Sequence, residues 1–163
     1  MRLTTMTDYA LRLLMYVGQR PDRLCTIAEV AQAHGISEAH LMKVTHALGR
    51  AGFLHTVRGK GGGMALAVEP AAINLGTVVR SIEPDFMLVE CFDRGTGCVL
   101  TGHCRLAGVI SDALRAFLER LDACTLADLL APPDPAPVVP VKLPPGSART
   151  AARASARASA RAR

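Results

Sequence analysis

The fold is decided by the segment CTIAEVAQAHGISEAHLMKVTHALGRAGF, residues 25–53. Thr26 precedes a helical pattern of apolar residues, and we predict that it caps a first helix over residues 27–34. Ser37 is predicted to cap a second helix over residues 38–50, and a glycine supplies the tight turn between the two. Two short helices joined in this way are typical of a helix-turn-helix.

The residues after this segment predict a β-hairpin. FLHTV (53–57) and MALAV (64–68) have the composition of short strands, and RGKGGG (58–63) joins them. A helix-turn-helix followed by such a hairpin is a winged helix. Arg58 and Lys60 at its tip suit contact with phosphates or insertion into a narrow minor groove. A phosphate-binding P-loop is excluded because Lys60 is followed by glycine, not by serine or threonine.

These predictions identify the side chains that would contact DNA. The second helix of a helix-turn-helix lies in the major groove, with residues near its N-terminus reaching base edges. The candidate contact residues, taken from both helices and the wing tip, are Thr26, Ser37, His40, Lys43, His46, Arg58 and Lys60. The alternative is an ordinary helical hairpin with a solvated polar face, but the added wing and the local positive charge favour DNA binding.

Charge is distributed unevenly along the 163 residues, whose net charge is +5. Residues 1–60 hold eight Lys or Arg and four Asp or Glu, residues 61–141 hold five and ten, and residues 142–163 hold six and none. The first block is therefore the candidate for contact with double-stranded DNA, and the second block is not.

Four further helices are predicted, over residues 6–19 with Thr5 as cap, 73–84 with Asn74 as cap, 105–123 and 125–130. Within the longest of them, apolar residues recur at steps of four, three, four and four residues, at Leu106, Ile110, Ala113, Phe117 and Leu121. That spacing is typical of a coiled-coil seam and predicts a homodimer.

A cysteine-rich segment, CFDRGTGCVLTGHC (residues 91–104), carries Cys91, Cys98 and Cys104. No apolar run approaches the ~20 residues of a membrane span, and the N-terminus lacks the character of a signal peptide, so we expect a cytoplasmic protein without membrane association. Cytoplasmic thiols stay reduced, which argues against disulfides. The gaps of six and five residues are wider than those of zinc-binding pairs and suit an iron–sulfur cluster, although they match neither ferredoxin pattern. A zinc site and three unrelated thiols remain the alternatives.

A cluster bound by three cysteines needs a fourth ligand. The loop offers Glu90, Asp93 and His103, and spacing alone favours none of them. Asp8 is far away in the sequence, and an acid in the first turn of a helix has an ordinary role in stabilising the helix dipole.

The predicted fold class is mainly α with a small β-hairpin, a winged helix-turn-helix plus a long dimerisation helix. The predicted organisation is a DNA-binding domain over residues 1–84, a cluster-binding loop over 85–104, the dimerisation helix with a short C-terminal helix over 105–131, and a disordered tail over 132–163. That tail is rich first in proline and then in arginine, alanine and serine.

Several stretches together resemble a known family. The opening MRLTTMTDYALRLLMYVG, the helices IAEVAQAHGISEAHLMKVTHALGRAGFL, the wing VRGKGGG and the three-cysteine loop ahead of a long helix resemble the winged-helix iron–sulfur regulators, over about residues 1–130. IscR-type members carry a ligand histidine three residues after the third cysteine, where this sequence has Ala107. The chain therefore looks most like the nitric-oxide-sensing repressors of the NsrR type.

The resemblance implies a homodimeric repressor on palindromic operator DNA. It implies an iron–sulfur cluster, of the 4Fe–4S type or alternatively 2Fe–2S, with Cys91, Cys98, Cys104 and the partner subunit's Asp8 as ligands. Nitrosylation of the cluster by nitric oxide would then release the operator and derepress genes for nitric-oxide detoxification. Arg12, four residues after Asp8, could pair with that carboxylate once it is released.

Two other functions stay open, a general redox or iron–sulfur-status regulator and a zinc-stabilised DNA-binding module without a sensing role. An enzyme is not expected, because the sequence has no paired carboxylates and no nucleophile–base arrangement.

Overall fold

The computed structural model describes residues 2–89, 92 and 104–132. Its described elements are α1 (Thr5–Gly18), α2 (Ile27–His34), α3 (Glu38–Arg50), β1 (Leu54–Val57), β2 (Gly63–Leu66), a 3-10 turn (Pro70–Ala72), α4 (Leu75–Ile82), α5 (Arg105–Asp122) and α6 (Leu126–Leu130). The predicted fold class is confirmed, since the chain is mainly helical with one antiparallel hairpin. Most of the predicted cysteine loop and the predicted tail beyond residue 132 lie outside the described residues. Among the described helices, none combines the length and apolar character that crossing a membrane requires.

α1 lies at the centre of the core because its apolar residues recur every three or four positions. α3 packs against it, and α6 adds the buried Leu126 and the half-buried Leu130 from the far end of the described chain. The buried residues of these three helices include Ala10, Leu13, Leu14, Val17, Leu41, Val44, Leu48 and Leu126. Burying a leucine side chain contributes about 1.5–3 kcal/mol. Tertiary packing, more than helix propensity, therefore holds these short helices in place.

The start of α1 differs from the prediction by one residue. Thr4, not Thr5, is the cap, and its hydroxyl accepts a hydrogen bond from the backbone N–H of Thr7 at 3.3 Å. The carboxylate of Glu83 accepts hydrogen bonds from the backbone N–H of Thr4 at 2.7 Å and from its hydroxyl at 3.2 Å. Because these partners are 79 residues apart, no local sequence pattern selects Thr4 from its neighbouring threonines.

α5 is the long helix that the sequence predicts, but none of its residues is buried within the described chain. Leu106 and Val109, near its N-terminus, are 63% and 64% exposed. Ile110, Phe117 and Leu121 of the predicted seam are half-buried. An apolar stripe left open on an 18-residue helix indicates that part of its packing is missing within one subunit. The homodimer itself stays a prediction.

Candidate nucleic-acid interface and cluster site

The start of α2 is fixed by a capping box, as the sequence predicts. The hydroxyl of Thr26 accepts a hydrogen bond from the Glu29 N–H at 3.2 Å, and the Glu29 carboxylate accepts one from the Thr26 N–H at 2.7 Å. The hydrogen bond from the Thr26 N–H has the largest effect in lowering the pKa of Glu29, and the hydrogen bond from Arg23 lowers it further. This carboxylate is therefore charged at neutral pH. Gly35 ends α2 in the left-handed region with φ 64°. The helix-turn-helix geometry is therefore set by local bonds.

α3 has a buried face and an exposed face. Leu41 and Val44 lie on the buried face and pack into the core. Lys43, His46 and Arg50 are exposed, and their steps of three and four residues place them on one side of the helix. Basic side chains along the free side of a helix suit the phosphate backbone of DNA.

Ser37 and His40 are exposed in the first turn of α3 and bond to each other. The His40 Nδ1 atom lies 2.9 Å from the Ser37 hydroxyl, which also accepts a hydrogen bond from the His40 backbone N–H at 3.4 Å. The His40 ring lies 6.1 Å, centroid to centroid, from the ring of Tyr9 in α1. These contacts orient the end of α3 at which a recognition helix meets base edges.

The wing tip is shaped by its glycines. Gly59 and Gly61 have φ values of 97° and 76°, which side-chain-bearing residues rarely adopt. A side chain on Gly62 would collide with backbone carbonyl oxygens of the same turn. Arg58 and Lys60 are both exposed. The glycines thus allow a tight turn that leaves two cations free for a partner.

A groove of about 780 Å³ lies between α3 and the wing. Three predicted contact residues, Thr26, His46 and Arg58, line it together with Arg50 and His55. The other predicted contact residues, outside its lining, are Ser37, His40, Lys43 and Lys60. Sequence reasoning missed Arg50 and His55. The available signals were the four-residue step from His46 to Arg50 and the position of His55 next to an inward-facing leucine.

Asp8 lies in the first turn of α1 and forms an ion pair with Arg12. Arg12 Nε donates to one carboxylate oxygen at 3.1 Å, and a terminal nitrogen lies 3.0 Å from the other. Both side chains line a shallow pocket with His34, Gly35 and Ile36, which belong to the end of α2 and its turn into α3. A change in the bonding of Asp8 therefore occurs beside the turn that orients α3.

Cys104 occupies the N-cap position of α5 and is half-buried. Its side chain makes no capping hydrogen bond, and a helix N-terminus stabilises an anionic ligand. Three thiols and one carboxylate are a donor set that suits iron. Cys91 and Cys98 lie outside the described residues, and within residues 2–89, 92 and 104–132 no three His, Cys, Asp or Glu side chains could together hold a metal ion. The four-residue ligand set stays a prediction.

Comparison with known proteins gives consistent matches. Residues 3–132 match the family described as "Rrf2: Iron-dependent Transcriptional regulator". The chain is 46% identical over 132 residues to the HTH-type transcriptional regulator NsrR of Bacillus subtilis (strain 168), covering 80% of this chain and 90% of that protein. It is 49% identical, with the same coverage, to NsrR of Geobacillus kaustophilus (strain HTA426). Among solved structures, T. potens IscR is similar with a TM-score of 0.63 at 26% identity, covering 80% of this chain and 86% of that one.

Proposed function

The chain belongs to the Rrf2 family of transcriptional regulators, and from this premise we propose that it is an iron–sulfur repressor that senses nitric oxide. Its relatives regulate transcription and are not enzymes, and its family agrees with the resemblance inferred from the sequence. The observation that carries the proposal is the Asp8–Arg12 ion pair beside the helix-turn-helix. It links the predicted ligand Asp8 to the element that would read DNA.

Operator DNA would be bound by α3 and the wing together. Lys43 and His46 would face the major groove, and Arg58 and Lys60 would contact phosphates or the minor groove. Thr26, Ser37 and His40 would complete the predicted contact set, to which the groove adds Arg50 and His55. The exposure of the basic side chains of α3 and the wing tip supports this assignment.

A second copy of the chain would cover the open face of α5. The exposed Leu106 and Val109 and the half-buried Phe117 support this arrangement. A two-fold dimer presents one α3 to each half of a palindromic operator, which matches the symmetry of the DNA to that of the protein.

The cluster, of the 4Fe–4S type in this proposal, would be held by Cys91, Cys98 and Cys104 of one subunit and the partner subunit's Asp8. When bound, it would supply iron with which nitric oxide reacts. Carboxylate oxygen is a hard donor, so Asp8 is the weakest match for iron in a thiolate-rich set. Arg12 offers this carboxylate a second partner within its own helix.

The choice of partner for Asp8 would control DNA affinity. Asp8 pairs with Arg12 at 3.0 Å, in the pocket that it shares with Gly35, and this pair would compete with iron for the carboxylate. Altered packing beside this turn would change the orientation of α3, weaken operator binding and allow the repressed genes for nitric-oxide detoxification to be expressed.

Replacing Asp8 with alanine is expected to leave the three thiols and a bound cluster, but with a changed visible spectrum and faster loss of iron. The measurement is the spectrum and the iron-to-protein ratio of protein purified without oxygen. Asp112→Ala is the matched control, because Asp112 pairs with Arg115 at 2.8 Å on α5 and has no proposed ligand role. An Asp8→Ala spectrum identical to wild type would remove Asp8 from the ligand set, and a colourless wild-type protein containing zinc would favour the zinc-stabilised module.

A further inference from the structure

We propose that the ion pair between Arg80 of α4 and Asp122 of α5 fixes the angle of α5 against the winged helix, and thereby sets the operator half-site spacing that the dimer accepts. The inference rests on the proposed dimerisation through α5. It assigns specificity to two residues that are not part of the groove lined by α3 and the wing.

The contact between Arg80 and Asp122 is a bidentate one. The two terminal guanidinium nitrogens of Arg80 each donate to a different carboxylate oxygen of Asp122, both at 2.6 Å. Two parallel hydrogen bonds fix the relative orientation of the planar groups, which a single contact does not. The hydrogen bonds from Arg80 also lower the pKa of Asp122, so the pair is charged at neutral pH.

The surface of α4 is shaped to receive Asp122. A side chain at Gly76 would collide with the Asp122 carboxylate, so the bare backbone at this position lets the acid lie against the helix. Asn74 acts on both helices, because its carbonyl oxygen accepts a hydrogen bond from the Thr77 N–H at 3.0 Å while its amide donates to the Asp122 backbone oxygen at 2.6 Å. The end of α5 is thus joined to the start of α4 by side-chain and backbone bonds.

Elsewhere along α5 the side chains are half-buried or exposed. None of its residues is buried, whereas Leu126, just after it, is fully buried in the core. The most exposed apolar residues of α5, Leu106 and Val109, lie at the end opposite Asp122. The helix therefore has these hydrogen bonds at its C-terminal end and its most exposed apolar residues at the other end.

A helix anchored at one end acts as a lever. With 18 residues, α5 is about 27 Å long. A rotation of about 10° at Asp122 would move the other end by about 5 Å, more than the rise of about 3.4 Å per base pair. Recognition helices of such dimers must lie about 34–36 Å apart to meet successive major grooves. A small change at the pair would therefore shift the preferred spacing by a base pair or more.

The pair is suited to setting geometry more than to adding stability. The side chains of Arg80 and Asp122 are 42% and 41% exposed, and exposed ion pairs contribute little to folding free energy. Losing the pair should therefore leave the fold and the dimer intact while loosening the angle. A change in the preferred half-site spacing without loss of folding or dimerisation would therefore distinguish the proposed role from a structural one.

Arg80→Met removes the two hydrogen bonds and keeps an apolar stem, and Arg80→Lys keeps the charge without the bidentate geometry. Arg115→Met is the matched control, because within the described part of the chain Arg115 pairs only inside α5, with Asp112 at 2.8 Å and Glu119 at 3.8 Å. The wild-type protein is first used to select an operator from random duplex DNA. Variants of this operator are then synthesised in which the distance between the half-sites is one or two base pairs longer or shorter. Affinity for each duplex and for a single half-site is measured, with sedimentation to monitor the dimer.

We expect wild type and Arg115→Met to prefer the selected spacing by roughly tenfold or more over its neighbours. Arg80→Met should reduce that preference to less than about threefold, with Arg80→Lys between them and single half-site affinity unchanged. A dimeric Arg80→Met protein with the full wild-type preference would overturn the inference alone. A monomeric wild-type protein would overturn the proposed dimer and the inference with it.

Discussion

Replacing Cys104 with serine is expected to abolish stable iron binding, together with any visible absorption and any response to nitric oxide. The thiol lies at the N-terminus of α5, with no capping hydrogen bond that would give it a structural role. A serine hydroxyl is a poor ligand for iron that prefers thiolates. Removing a residue that hydrogen-bonds to a metal ligand already lowers metal affinity by about 10–100-fold. Removing the ligand itself should therefore lower it by at least about 100-fold. The measurement is iron and sulfide per subunit after anaerobic purification.

Cys124→Ser is the matched control for this experiment. Cys124 is also half-buried and lies just beyond the other end of α5, with its backbone oxygen accepting a hydrogen bond from the Leu75 N–H at 3.0 Å. That bond does not involve the thiol, so the control should fold and keep its iron. Equal iron in the Cys104 variant and in this control would contradict the assignment of Cys104 as a ligand.

Replacing Gly62 with alanine is expected to weaken operator binding by at least about tenfold while leaving the iron content unchanged. The new side chain would meet the backbone oxygens of Val57 and Gly59, and a backbone cannot rotate out of the way as a side chain can. The turn must shift, and with it the positions of Arg58 and Lys60. The fold should persist because Gly62, Arg58 and Lys60 all lie outside the hydrophobic core.

Gly108→Ala is the control of the same chemistry. Gly108 lies on α5, and among the described residues no atom other than the adjacent helix backbone lies within 4 Å of the added carbon. Alanine is also the better helix former by up to about 1 kcal/mol. This variant should bind the operator like wild type and be slightly more resistant to urea. Wild-type operator affinity in the Gly62 variant would show that the wing tip does not contact DNA.

The helix-turn-helix could be predicted from sequence almost residue by residue because its boundaries depend on local bonds. Thr26 and Ser37 cap their helices, and Gly35 ends α2, at the predicted positions. α4 likewise begins after Asn74, as predicted. In each case the capping side chain bonds to a backbone group three residues away, or the glycine adopts a conformation that other residues avoid.

The remaining features depend on residues far apart in the chain. The cap of α1, Thr4, is held by hydrogen bonds to Glu83, and Arg80 bonds to Asp122, which lies 42 residues further along the chain. No periodicity or capping pattern encodes such pairs, since they form only when the whole core is packed. The same holds for the groove between α3 and the wing, whose lining residues come together only when both elements are packed.

The central claim is that nitric oxide controls operator binding through a cluster bound by this chain. The most direct test is a titration of the anaerobically purified wild-type protein with nitric oxide, following visible absorption and operator binding in the same samples. We expect the cluster spectrum to be lost and operator affinity to fall over the same range of nitric oxide per subunit. Operator affinity that stays constant while the spectrum changes, or an iron-free protein that binds the operator regardless of nitric oxide, would contradict it.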